Sequence, residues 1–348
     1  MIFTLALGCM LFALLSWGFH FLSGERWQFL AAVPLYKKKN GCWRSVNFTY
    51  YGFFIATSQL LALVLTLCLL GSIKVSLFGV GVAILILLLI CIPAARFIAM
   101  IVEKKRHTFT IGGASFVGII LAPAMVYLCQ LLLGKDDPSF YLPVLPTLAA
   151  ISIGYTMGEG LGRLACLSYG CCYGKPVAEA TPFLQKLFSR VHTIFYGENK
   201  KVAYESKLSG VPLIPIQEIT SIVYCLATVI GVYLFLHKHF TIALLVTIIT
   251  TQLWRILSET MRADFRGIGK ISAYQKMGLV GVLYMITVTF FFPETIVPVP
   301  AIQEGLKLVW NPLVILCLQG SWCIFFIFFG KSSITTSTLE FSLVRKNI

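Results

Sequence analysis

Long apolar runs alternate with short polar clusters along the whole chain, and the runs share one characteristic length. An α-helix rises 1.5 Å per residue, so about 20 mainly apolar residues cross the hydrocarbon core of a bilayer. Nine stretches meet that length, near residues 2–22, 50–71, 76–101, 110–133, 141–161, 213–236, 240–261, 275–292 and 311–330. No succession of short segments alternates in polarity as a transmembrane β-barrel requires. The first run lacks a charged leading segment and a small-residue cleavage site, so it predicts a retained helix rather than a signal peptide. The pattern therefore predicts an all-α polytopic membrane protein. Residues 175–212 are the one long polar connection, and are expected to form an extramembrane loop packed over one mouth of the helical body.

Composition agrees. The 348 residues are 58% hydrophobic and only 12% charged, with mean hydropathy +0.86. Soluble domains carry roughly 25% charged residues, so a soluble enzyme and a disordered chain are both excluded. The net charge of +14 is scattered between apolar runs and forms no long basic tail. It points to anionic lipid headgroups in the bilayer and not to nucleic acid. The connections after the first, third, fifth and seventh runs are basic, as is the tail. Counted by the positive-inside rule alone, they are cytoplasmic. Most of the eleven cysteines sit inside apolar runs, where a thiol is a small apolar group, and no disulfide framework is expected.

Ionisable groups inside membrane spans are costly, about 2.5–3.5 kcal/mol each on insertion scales, and each suggests function. They are few: Arg96, Glu159, Arg163, Glu218, Arg255 and Glu259, with Arg262 just beyond. Arg255, Glu259 and Arg262 follow i, i+4, i+7 spacing and share one helix face. An Arg–Glu pair at that spacing also serves as a plain structural ion pair. The guanidinium fork matches phosphate oxygens, so arginines converging from separate helices would make a site for a lipid phosphate. Gly158, Gly160, Gly162, Gly170 and Gly174 surround Arg163, allowing close backbone approach or simple helix packing. The C-x4-C-C spacing of Cys166, Cys171 and Cys172 is not a usual zinc pattern and no histidine flanks it. Neither metal nor cofactor is expected.

The run from Leu161-Gly162-Arg163 through Ser168-Tyr169-Gly170-Cys171-Cys172-Tyr173-Gly174-Lys175-Pro176 resembles the signature of the bacterial phosphatidylglycerol–prolipoprotein diacylglyceryl transferase family, in its Cys-Cys branch. Tyr51-Gly52, Ala95-Arg96, Gly112–Gly118, Val211–Gln217 and Trp254-Arg255…Glu259…Arg262-Ala263-Asp264 resemble further family motifs in the family's order. The resemblance covers about residues 45–292. It implies a seven-helix membrane core, with residues 1–44 an added N-terminal helix and basic loop, and 293–348 an added C-terminal helix and tail.

The family moves a diacylglyceryl group from phosphatidylglycerol to the lipobox cysteine of a preprolipoprotein, so the resemblance implies those two partners and a bacterial cytoplasmic (inner) membrane location. It implies catalytic roles for Arg163, Arg255 and Glu259, with Glu259 expected to orient Arg255. It implies substrate-binding roles for Tyr51, Arg96, Gln217, Arg262 and Gly170. The chain departs from the family where two histidines are expected, with Val117 and Ile214 in their places. That departure marks a divergent member and leaves a second reading, a non-catalytic phospholipid-binding protein or transfer to another acceptor. The resemblance also places the 175–212 loop in the periplasm, against the charge count. The family orientation is the one adopted.

Overall fold

The structure, a computed structural model, describes residues 1–102, 111–134, 140–264, 271–293 and 297–348. The basic run Lys104-Lys105-Arg106, His107 and Arg266 lie outside the described residues.

Among the described residues, nine long helices form where the apolar runs predict them. They are α1 (Ile2–Phe21), α2 (Tyr50–Ser72), α3 (Leu77–Val102), α4 (Ile111–Leu133), α5 (Val144–Tyr169), α8 (Ile216–Leu236), α9 (Phe240–Thr260), α10 (Ala273–Phe291) and α12 (Pro312–Gly330). Three short helices, α6 (Pro182–Phe188), α7 (Lys201–Ser206) and α11 (Ile302–Val309), lie between them. Eight of the long helices are apolar and long enough to cross a membrane, and the protein is an all-α, multi-pass membrane protein. α5 is not among the eight. Its charge and glycine content lower its hydropathy, yet most of its residues are buried among the other helices.

Polar side chains inside these helices are satisfied locally. Thr66, Thr156, Thr228, Thr247 and Thr251 each donate to the carbonyl four residues back, which removes the cost of an unmet hydroxyl in an apolar setting. Others stitch helices together. Ser152 of α5 meets Thr247 of α9 at 2.6 Å, and Tyr224 of α8 donates to Thr251 O at 2.9 Å. Helix starts carry ordinary caps: Ser272 and Gln275 form a capping box on α10, and Asn311 caps α12 ahead of Pro312.

One feature corrects the sequence reading. The expected basic loop before residue 45 holds two strands, β1 (Phe29–Lys37) and β2 (Trp43–Thr49), and the tail holds β3 (Lys331–Leu339). They form an antiparallel sheet in the order β1-β2-β3. β1 contains Pro34 within an unbroken apolar run, and β3 reads Lys-Ser-Ser-Ile-Thr-Thr-Ser-Thr-Leu, so neither shows the apolar–polar alternation that announces a strand. Its inner contacts are polar instead: Ser337 donates to Asn47 Oδ1 at 2.6 Å and Ser45 to Ser337 O at 2.8 Å. β2 runs straight into α2 and α12 straight into β3, so the sheet fixes these helices side by side. Where they cross, a Cβ on Gly52 would overlap the Gly330 backbone, a contact only glycine permits. Segments near the two ends of the chain thus join one sheet with the strand that leads into α2.

The sheet, the 175–212 segment and the ends of several helices gather at one end of the body. Lys200 Nζ donates to Leu22 O, at the end of α1, at 3.2 Å, and to Ser168 O, near the end of α5, at 2.9 Å. An ammonium there also faces the negative ends of two helix dipoles. Lys175 N bonds Met261 O, past α9, at 3.0 Å. The basic segments that the charge count singles out and that the structure describes therefore lie at this one end.

Candidate active site

α5 carries the centre of the site because it continues to Tyr169, two turns past the end its polarity suggests. Glu159 and Arg163 belong to its interior, one turn apart on the same face. Arg163 Nη2 lies 3.0 Å from Glu159 Oε2. From α9, Arg255 Nη2 reaches the same oxygen at 3.2 Å. Two guanidiniums from different helices thus share one carboxylate.

Arg255 is held from two further directions. Its Nη1 donates to Ser115 Oγ of α4 at 2.8 Å, and its Nη2 to the Tyr155 hydroxyl of α5 at 2.9 Å. Arg163 is less fully engaged: its Nε is buried without a hydrogen-bond partner among the described residues. Arg–Glu–Arg carries one net positive charge. All three side chains are largely buried, with exposures of 13%, 4% and 11% for Arg163, Glu159 and Arg255, so water screens that charge weakly.

Glu159 and Arg163 line a cavity of about 330 Å³ between α2, α3, α4 and α5, which α9, α10 and α12 also help to line; Arg255 stands behind Glu159, Tyr155 and Ser115 of that wall. Tyr51, Ser115, Tyr155, Glu159, Arg163 and Cys166 line it near the ion cluster; elsewhere Ser58, Gln59, Thr66 and Ser152 interrupt a wall that is mainly aliphatic, with Phe325 and Phe329. A cavity with an apolar body and one cationic wall suits an amphiphile with an anionic head.

The other sequence-predicted residues divide. Tyr51 lines the cavity, its ring 5.4 Å from that of Tyr169. Gln217 is buried beside the site and donates to Cys171 O at 3.0 Å, so its amide holds the Cys-Cys turn. Gly170 adopts φ +72° as the left-handed cap of α5, and a Cβ there would press on Lys200 at 3.1 Å. These contacts give it a role in the turn. Arg96 is exposed, over the Phe328 ring at 5.2 Å, and does not join the Arg163–Arg255 cluster. Arg262 spends its fork on Asp264, at 2.7 and 2.8 Å.

The expectation that Glu259 orients Arg255 is corrected. No ion pair joins them among the described residues; Glu159, Tyr155 and Ser115 hold Arg255 instead. Glu259 Oε1 is buried without a hydrogen-bond partner among the described residues. A spacing of i+4 permits contact on one helix, but a carboxylate arriving from α5 fits the Arg255 fork better. Glu159 was visible as a costly intramembrane charge. That it bridges two arginines was not, since the bridge spans about a hundred residues of sequence. Tyr155 and Ser115 offered no charge signal at all, although Ser115 falls inside a family-like motif. Ile214, at one of the expected histidine positions, is fully buried behind Gly174.

Next to Arg163 the Sγ atoms of Cys166, Cys171 and Cys172 lie within 4.8 Å of one another. Among the described residues this is the group placed to hold a metal ion.

Neither the curated proteins nor the solved structures offer a match to the chain. The family model of prolipoprotein diacylglyceryl transferase, however, matches residues 43–291, a segment that includes Arg163, Arg255 and the shared carboxylate Glu159. By that match over most of its length, the chain belongs to the prolipoprotein diacylglyceryl transferase family.

Proposed function

We propose that this protein transfers the diacylglyceryl group of phosphatidylglycerol to the lipobox cysteine of a preprolipoprotein, in the cytoplasmic membrane of a bacterium. The observation that carries the reading is the convergence of Arg163 and Arg255, from separate helices, on one carboxylate beside an otherwise apolar cavity. Family membership supports transfer to a prolipoprotein, and the cavity supports a lipid as donor.

In this reading the acyl chains occupy the aliphatic part of the cavity and the phosphodiester faces the arginines. The net positive charge of Arg–Glu–Arg offsets its single negative charge. The acceptor's thiolate attacks the glyceryl carbon, the carbon–oxygen bond breaks, and glycerol phosphate leaves with the electron pair. Negative charge grows on the departing phosphate, so fixed donors in a water-poor site stabilise the transition state more than the bound lipid. Ser115, Tyr155 and Glu159 pre-orient Arg255 for that task, and the unmet Nε of Arg163 offers a further donor. Tyr51, on the same wall, lies within the headgroup region.

Val117 and Ile214 at the expected histidine positions favour the second reading, a phospholipid-binding protein without transfer or with another acceptor. Complementation of a transferase-depleted bacterium decides. Growth, together with labelled diacylglycerol appearing on a lipobox peptide in membranes, is the expected result. A well-expressed protein that supports neither is a binding protein.

A further inference from the structure

Cys166, Cys171 and Cys172 take no part in the mechanism above, yet the fold brings them together with some care. Gly170 at φ +72° and Cys172 at φ +58° flank Cys171 and curl the chain back over the end of α5. Gly170 N and Cys171 N both bond Cys166 O, at 2.8 and 3.1 Å. A non-glycine residue in the left-handed region costs of order 1 kcal/mol or more. The buried Gln217 amide clamps the turn through Cys171 O. The outcome is three Sγ atoms within 4.8 Å of one another, none of them in a disulfide. Four thiolates around a tetrahedral zinc, at Zn–S of about 2.3 Å, stand about 3.8 Å apart. A tetrahedral thiolate site thus asks for sulfurs about 1 Å closer than that 4.8 Å limit.

We propose that these three cysteines form a three-thiolate site for a divalent cation of the zinc class, whose open fourth position takes the thiol of the acceptor cysteine. Three protein ligands with one vacant position is the pattern of catalytic zinc, whereas structural zinc is fully enclosed by protein. Cys166 lines the lipid cavity on the same face of α5 as Arg163, one turn on. A thiol bound here is thus placed beside the donor's phosphate. The charges fit as well. Three thiolates and a dication sum to one negative charge, and the guanidiniums of Arg163 and Arg262 lie within electrostatic range of the cluster.

The site answers a chemical need of the proposed transfer, on which this inference rests. A free cysteine is mostly protonated at neutral pH, and Val117 and Ile214 provide no imidazole to accept its proton. A thiol that coordinates a metal is deprotonated outright. In the step, the acceptor's proton passes to solvent buffer as its sulfur binds the cation. A sulfur lone pair then forms the bond to the glyceryl carbon, and the carbon–oxygen bond breaks toward the phosphate. The resulting thioether is neutral and a weaker ligand than a thiolate, so the product leaves the metal.

Cobalt(II) tests this, because its sulfur charge-transfer absorption reports thiolate ligands without requiring turnover. The full chain in detergent, reduced and stripped of metal, is titrated with Co²⁺ under anaerobic conditions. The expected result is one Co²⁺ per chain with a thiolate band that weakens stepwise in Cys166→Ser, Cys171→Ser and Cys172→Ser, and is unchanged in Cys129→Ser, a buried thiol on α4. A lipobox peptide should raise the band by about a third, as a fourth thiolate joins three, and a peptide with serine for its cysteine should not. Where a cysteine variant fails to fold, the wild-type titration with the two peptides still decides. Absence of a thiolate band, a band indifferent to the three substitutions, or equal response to both peptides overturns the proposal. Unimpaired transfer by metal-stripped protein held in chelator overturns it too. A cobalt site that responds to the cysteine peptide in a protein without transfer activity supports the site and defeats the transferase reading alone.

Discussion

Two arginine sites at the same end of the molecule are buried almost equally and built in opposite ways. Arg163 and Arg255, with side-chain exposures of 13% and 11%, share the single carboxylate of Glu159. Arg262, at 9%, meets Asp264 in a two-point clasp, and the Glu259 carboxylate is near enough to act on it electrostatically. The first site has more cations than anions and adjoins a cavity. The second is neutralised within its own turn, where Gly174 and Arg262 form an isolated bridge between chain segments. Burial of an arginine therefore does not by itself make an anion site. The ratio of carboxylates to guanidiniums, and access to a cavity, separate a receptor for phosphate from a clasp that holds two loops together.

The two sites should differ most in their dependence on a single carboxylate, Glu159 in the first and Asp264 in the second. Replacing Glu159 with Gln leaves two buried guanidiniums short of a counter-charge, and removing one partner of a buried ionic group costs about 3–5 kcal/mol. A large fall in unfolding temperature is expected for Glu159→Gln. Asp264→Asn should fall less, because the Glu259 carboxylate still acts on Arg262. Equal losses would mean that the two sites are alike.

Arg163→Lys comes next. Lysine keeps the charge and can still reach the helix end, but it lacks the fork. Loss of one transition-state donor costs about 10²–10³ in rate, and that loss is expected in transfer of labelled diacylglycerol to a lipobox peptide at matched expression. Near-normal transfer would make Arg163 a membrane anchor and remove the contrast with Arg262.

For Glu259→Gln the expected effect is below about tenfold, or 1.4 kcal/mol, since Glu159 and not Glu259 holds Arg255. Complete loss of transfer in a stably folded variant, with one limb of the pH profile gone, would instead give Glu259 a proton-transfer role.

The smallest effect is a slope. Burial pushes the Lys200 amine down to about 7, against about 10.4 in an unfolded chain. Between those values the unfolded chain binds more protons, so Lys200 makes stability rise with pH from about 7 to about 10. Lys200→Met should flatten that rise in thermal unfolding measured across the range. An unchanged slope would show that the two carbonyls it serves keep the amine charged in the fold.

The sequence by itself determined the number, order and approximate limits of the nine long helices, because bilayer thickness imposes one length on every apolar run. It also marked Glu159, Arg163 and Arg255 as candidates, because a charge that survives in a span needs a reason. It misplaced the end of α5, where Glu159 and the glycines read as a boundary although they lie inside a protein-lined helix. It was silent on the sheet, whose strands pair through Ser45, Asn47 and Ser337 and not through an apolar face. Partner choice was decided by tertiary structure alone. Arg255 had an acidic neighbour one turn along its own helix, yet α5 supplies a better-placed carboxylate from about a hundred residues away. Cys166, Cys171 and Cys172 had no recognisable metal spacing until two left-handed residues folded the chain back on itself. Hydropathy is a sum over local residues and can be read along a line; charge pairing and ligand geometry depend on distances of a few ångströms between segments, which only the packed chain sets.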